Sequence, residues 1–240
     1  MVYLYALIGA PPQDWPRRPG RPLIVECGSV WAAVEEVAAV PPLTEHALRR
    51  HDAVVRELAT ITNAVAPARF GTVVSNRAAL VDIVSKRAEE TASVLSLVEG
   101  RTQMTVRVSS PQLLGGGSEV ETTKRRAVSA RSSEDPPGRD TPRAGAVDTP
   151  GPGTRYLRAR ARRETMLQRE LDVVHAALGD LVLDERVARY ATGPLLASVY
   201  HLVAPTDTAR YVEALTTRAA GRVSIGGPAP CYAFADGLRL

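Results

Sequence analysis

Apolar residues run unbroken from Val2 to Ile8, which predicts a buried opening strand. A Pro/Arg loop from Pro11 to Pro22 follows, and Leu23-Ile24-Val25-Glu26-Cys27 then reads as a second strand. After the Gly28-Ser29 turn, Val30 to Val34 fits a strand or a short helix, and we read it as a third strand. Pro41-Pro42 ends that element and the period changes. Ala47, Leu48, His51, Val54, Val55, Leu58 and Ile61 recur at helical spacing, with Thr44 placed to cap and Leu43 to staple onto Leu48. A second long helix, capped by Ser75 or Asn76, carries Leu80, Ile83, Val84, Arg87, Thr91, Val94, Leu95 and Val98, and ends at Gly100.

Between these helices lies the segment Ala64 to Val74. Pro67 biases Ala66 toward extended backbone, and Phe70, Thr72, Val73 and Val74 favour a strand. Gly71 within that run signals a bulge or a close backbone approach. Arg69 is a fixed charge in apolar surroundings. It either keeps its head in water at a strand edge or clamps the strand to another segment through its planar fork of donors.

Thr102 to Val108 alternates as a strand, with Met104, Val106 and Val108 on one side. The composition then changes. Residues 109–154 are rich in Gly, Pro, Ser, Thr and Arg, nearly lack large apolar side chains, and balance six cations against six acids. Such a stretch buries too little surface to offset its ordering entropy, so a largely disordered insertion is expected, a frayed helix over Val120 to Ala130 being the alternative there. An Arg-rich helix from Arg155 to Leu178 follows, striped by Leu157, Ala161, Leu167, Leu171, Val174 and Leu178 and closed by Gly179. Glu185–Ala191 and Leu195–Ala204 flank Thr192-Gly193-Pro194 and read as a hairpin. A last helix runs from Thr206 to Gly221, and Arg222–Ile225 is a final strand.

The first half thus suggests an α+β layer sandwich. The second, without the insertion, has the strand, helix, hairpin, helix, strand order of a ferredoxin-like (split βαβ) domain. The expected organisation is an α+β chain with an N-terminal α/β domain over residues 1–100, a ferredoxin-like domain over 101–225 carrying the long disordered insertion at 109–154, and a tail over 226–240 docked on the body.

Composition narrows the chemistry. The chain has 240 residues, 45% hydrophobic and 5% aromatic, so its cores rest on Leu, Val and Ala. A formal charge of +4 tolerates an acidic partner without demanding nucleic acid. Cys27 and Cys231 lack metal spacing and read as two reduced, buried thiols, a single disulfide being the alternative. No basic leader precedes Pro11-Pro12, and no apolar run reaches a membrane span, which points to a cytoplasmic protein without a membrane role. His46, His51, His175 and His201 show no metal-ligand spacing, and His51, on an apolar helix face, reads as a satisfied core histidine. Gly115-Gly116-Gly117 lacks the Lys-Ser/Thr of a phosphate loop, and no nucleophile elbow is present. No catalytic residue, cofactor or metal is assigned. The cluster Arg155, Arg158, Arg160, Arg162, Arg163 and Arg169 is either a solvated face or a docking face for an acidic protein or phosphates. Without evident neighbouring aromatics, sequence-reading of RNA is unsupported. Tyr232 and Phe234, in an aromatic-poor chain, suit anchors that dock the tail, with the N-terminal domain as the expected site.

These pieces resemble the gas vesicle protein F/L family. Pro67-Ala68-Arg69-Phe70-Gly71-Thr72 is similar to its Pro-x-Arg-Phe-Gly-Thr segment, and His51 to a His in the preceding helix. Gly100-Arg101-Thr102-Gln103 resembles its Gly-x-x-Glu, with Gln103 where an acid is usual. Arg155-Tyr156-Leu157 is similar to its entry to the long helix, and Tyr200-His201-Leu202-Val203 to its Tyr-Leu-Val strand. Gly227 to Phe234 is similar to Gly-Pro-Trp-Pro-Pro-Tyr-Ser-Phe, with Ala229 replacing the Trp and Cys231 a Pro.

The resemblance implies two domains of the kinds given above and a non-enzymatic role in building gas vesicles, the hollow protein shells found inside cells. It implies location at the gas vesicle, and as partners the small hydrophobic shell protein (gas vesicle protein A) and other gas vesicle proteins. On that reading Arg69, Phe70, Gly71 and His51 serve structure, Tyr232 and Phe234 latch the tail, and Arg155, Arg158 and Arg162 recruit a partner. The alternative is a ferredoxin-like regulatory module binding RNA or an anion through the Arg155–Arg169 face.

Overall fold

A computed structural model of the chain describes residues 1–13, 15, 20–110, 151–219 and 223–235. Most of the expected insertion, and with it Val120 to Ala130, lies outside the described residues, as does Gly221.

The first half is built on β1 (Val2–Ile8), buried along its whole length. It pairs antiparallel with β3 (Val30–Glu36), which pairs with β2 (Leu23–Cys27). On its other side β1 receives β4 (Val65–Pro67) near its end and β5 (Val73–Val74) near its start. A register shift between Leu4 and Ala6 breaks the alternation of β1. Val2, Leu4 and Leu7 therefore face one side, and Tyr3, Tyr5, Ala6 and Ile8 the other. Helix α1 (Glu45–Ile61) covers the tyrosine side through Val54, Val55 and Leu58. Helices α2 (Arg77–Lys86) and α3 (Ala88–Val98) cover the opposite side through Leu80, Val84 and Leu95. The Thr44 side chain accepts from the Ala47 amide at 3.2 Å and Asn76 from Ala79 at 2.8 Å, so both helices start at their expected caps.

The second half is a four-stranded antiparallel sheet in the order β7, β8, β6, β9, formed by Asp184–Arg189, Leu195–Val203, Thr102–Ser109 and Val223–Ala229. Helices α4 (Pro152–Leu178) and α5 (Thr208–Arg218) cover one face, burying Met104, Val106, Val108, Val199 and Val203 against Leu167, Leu171, Val174, Tyr211 and Leu215. In chain order this is the strand, helix, hairpin, helix, strand succession read from the sequence. The two sheets are separate.

Several expectations need correction. Phe70 to Val74 is not one strand: the chain leaves the sheet after Pro67, turns through Gly71 (φ +88°), and rejoins only at Val73. The long second helix is two helices, broken at Arg87 (φ −116°, ψ 27°). The Arg-rich helix begins at Pro152, inside the expected insertion, and its Leu157 is exposed rather than part of the core stripe. Leu43 and Leu48, the expected staple, are both exposed, as is Ile61. A tight turn over Pro205–Asp207 delays the last helix to Thr208. The last strand runs on to Ala229, taking in residues assigned to the tail. Its Gly227–Pro228 pair occupies a register shift against β6. Gly227 has φ +116°, and a Cβ there would stand 2.8 Å from the Gln103 carbonyl oxygen, so only glycine fits. Pro228 is tolerated because β9 is an edge strand.

Candidate functional site

His51 sits on the inner face of α1, where helical spacing puts it, 4% exposed. Its Nε2 lies 3.1 Å from the Ala68 carbonyl oxygen, which can only accept, so Nε2 carries the proton. Nδ1 then accepts from the Tyr3 hydroxyl at 2.7 Å. Burial lowers the pKa of His51, offset in part by the Ala68 carbonyl and Asp52, and the ring stays neutral. Burial also raises the Tyr3 phenol, while its hydrogen bond with the Gly71 backbone works the other way. One imidazole thus ties α1 and β1 to the Pro67–Thr72 bend. Within the bend, the Thr72 amide and hydroxyl both donate to the Arg69 carbonyl, at 3.1 and 2.8 Å. Phe70 is half-buried, edge-on to Tyr3 and His51 at 6.1 and 5.9 Å. Arg69 is exposed and, among the described residues, its guanidinium has no partner. The clamp is not formed; the alternative of a head in water is what the structure shows, because the bend turns that side chain outward.

The tail docks against this knot. The Tyr232 ring lies 6.3 Å from His51, and its hydroxyl donates to Asp52 Oδ1 at 3.2 Å while Arg56 Nε donates to Asp52 Oδ2 at 2.6 Å. Burial first, then the Asp52 charge, raises the Tyr232 phenol. Phe234 is fully buried with Val98, Leu202 and Cys231, between the end of α3 and the helix-free face of the second sheet. The Ala233 amide donates to Gln103 Oε1 at 2.8 Å, and Arg186 donates to the Ala233 carbonyl at 2.9 Å with its guanidinium over the Phe234 ring. Gln103, Asp52 and Arg186 escaped the site reading. Gln103 had a signal, since an acid was expected there: amide and carboxylate both offer the oxygen that Ala233 needs. Beside the tail opens a groove of about 370 Å³, bordered by Arg56, Asn63, Val98, Arg101, Thr208 and Pro228.

A second polar cluster lies under α5. His201, fully buried, donates from Nε2 to Glu185 at 2.9 Å and accepts on Nδ1 from Tyr211 at 2.6 Å. His175 reaches the same Glu185 oxygen at 2.7 Å. Burial lowers the His201 pKa. Burial alone would raise Glu185, but the hydrogen bonds from His201 and His175 bring it below its ordinary value.

On α4, Arg155, Arg158, Arg160, Arg162 and Arg169 are exposed. Arg163 is not part of that face. It donates to the carbonyls of Tyr190 and Gly193 at 2.7 Å, of Thr192 at 3.3 Å, and of Leu195, closing the β7–β8 turn. An aromatic does stand near the cluster after all: Tyr156 is 64% exposed. Cys27 and Cys231 are buried and unpaired, and burial pushes their thiols up to about 11 and about 12.

These arrangements bind one segment of the chain to another. Among the described residues no group of three or more His, Cys, Asp or Glu is set to hold a metal, and no helix is long and apolar enough to cross a membrane.

Residues 1–236 match the family model described as gas vesicle synthesis protein GvpL/GvpF. Two solved structures share the fold. The gas vesicle protein GvpF from Anabaena sp. PCC7120 superposes with a TM-score of 0.68 at 12% identity, over 98% of this chain and 95% of that one. GvpF from Microcystis aeruginosa gives 0.66 at 12% identity, over 98% of both chains. No curated protein sequence matches the chain.

Proposed function

The chain belongs to the gas vesicle synthesis GvpL/GvpF family, and from that premise we propose that it is a non-enzymatic accessory protein of gas vesicle assembly. It binds the hydrophobic shell protein, gas vesicle protein A, or other gas vesicle proteins, and shields apolar surface and strand edges that would otherwise associate too early. It works inside the cell at the forming vesicle. The observation that carries this reading is the family match across residues 1–236. The interior polar groups support it: His51, His201, Glu185 and Tyr232 are each held by neighbours in the same chain rather than aimed at an open pocket.

The test is co-expression with the shell protein and, separately, with the other gas vesicle proteins, followed by affinity capture and crosslink mapping. The expected result is co-capture of the shell protein or another vesicle protein, with crosslinks to defined surfaces of this chain. Capture of none of them would overturn the proposal.

A further inference from the structure

Helix α4 outruns the body it packs on. Leu167, Leu171, Val174 and Leu178 are buried on its inner face, whereas all residues from 153 to 162 are exposed. Arg163, gripping the hairpin turn, is the last anchor. Beyond it, Arg155, Arg158 and Arg162 follow at helical spacing and continue to Arg169, a row about 20 Å long at 1.5 Å per residue. At 100° per residue the row lies roughly 160° round from the buried stripe, so it faces away from the body.

Its lack of partners sets this row apart. Several exposed helical cations elsewhere do sit beside an acid: Arg49 with Glu45, Arg56 with Asp52, Lys86 with Asp82, and Arg210 with Asp207. No acid occurs between residues 151 and 163, and among the described residues Arg155, Arg158, Arg162 and Arg169 have no hydrogen-bond or ion-pair partner. Like charges three and four residues apart disfavour a helix, and a cation in the first turn opposes its dipole. Carboxylates laid along the row would reverse both effects.

We infer that the Arg155–Arg158–Arg162–Arg169 row of α4 is a docking surface for an acidic polypeptide segment whose carboxylates repeat at about one per helical turn. Nucleic acid fits less well. Tyr156, the exposed aromatic, continues the buried stripe rather than the arginine row, so a base stacked on it would draw the strand off the cations. The inference deepens the accessory reading and rests on it for the identity of the protein that supplies the acidic segment.

The test titrates the full chain with a fluorescent oligo-glutamate of about 20 residues at low salt, where exposed charges are least screened. Binding is expected, and the triple variant Arg155→Glu, Arg158→Glu, Arg162→Glu should weaken it about tenfold or more. The charge-matched triple Arg49→Glu, Arg77→Glu, Arg210→Glu should change it by less than about twofold. Circular dichroism checks that both variants fold. Three results would overturn the inference: no binding by the native chain, equal loss in both triples, or tighter binding of single-stranded RNA of matched length. Because the probe is synthetic, failure here leaves capture of the shell protein untouched, and failed capture leaves this result standing.

Discussion

His51 and His201 are held the same way, one in each half. A tyrosine hydroxyl donates to Nδ1, and an oxygen that can only accept takes the Nε2 proton. Protonating either ring would break the tyrosine bond in a buried site. Both folded-state pKa values lie below the ordinary 6.5, burial being the main cause. The unfolded chain therefore binds protons first, and the stability these rings confer is complete above about pH 6.5 and falls as pH drops through it. Glu185, held below its ordinary 4.5, adds a further loss below that pH. The urea midpoint is expected to fall between about pH 7.5 and 5.5, and less so in the double variant His51→Gln, His201→Gln. A native midpoint that holds constant over that range would refute the neutral-histidine assignment. The spacing of α1 placed His51 on the apolar face, which identified it as a core histidine. It could not supply Tyr3, which lies 48 residues away on β1 and meets Nδ1 only once α1 packs on the tyrosine side of the sheet.

At the scale of elements, the same helix carries arginines of opposite use. Arg155 and Arg162 stand in water, while Arg163 closes the β7–β8 turn through the carbonyls of Tyr190, Thr192, Gly193 and Leu195. Composition alone made them one cluster. What separates them is the direction of the buried stripe, on which Arg163 falls four residues before Leu167. Arg163→Ala is expected to cost about 1–2 kcal/mol, since several bonds to a charged donor are lost at a partly solvated turn. Arg163→Lys should not restore it, because an ammonium lacks the planar fork. Chemical denaturation gives both values, and a lysine variant of native stability would contradict the fork argument. The break at Arg87 was hidden for a different reason. No Gly or Pro marks it, and the apolar spacing runs through it. It is set by packing, with α2 lying along β2 and α3 turned toward β3 and β4. The Pro67–Thr72 bend was half legible. Gly71 signalled an irregularity, but β propensity carried Phe70 into a strand that local bonds from Thr72 to the Arg69 carbonyl exclude.

At the scale of the molecule, the halves have separate sheets and separate cores, and the tail seals their junction. Two aromatics in an aromatic-poor chain pointed to docking on the N-terminal domain; Tyr232 lies against α1 there, whereas Phe234 sits where both halves meet, a place no single stretch of sequence displays. Phe234 fills a cluster drawn from α3 and β8, and Tyr232 reaches back to α1. Removing each anchor should therefore have different consequences. Phe234→Ala opens a cavity at the junction and should cost about 3–5 kcal/mol, the usual range for a fully buried Phe. That loss falls on contacts shared by the halves, so unfolding should split into two transitions, with faster amide exchange at the end of α3. Tyr232→Phe keeps the ring and loses one hydrogen bond of 3.2 Å, so it should shift stability by less than about 1 kcal/mol and leave a single transition. Calorimetry distinguishes these outcomes. If Phe234→Ala melts in one step at an unchanged temperature, the tail is a passive covering and the halves hold each other without it.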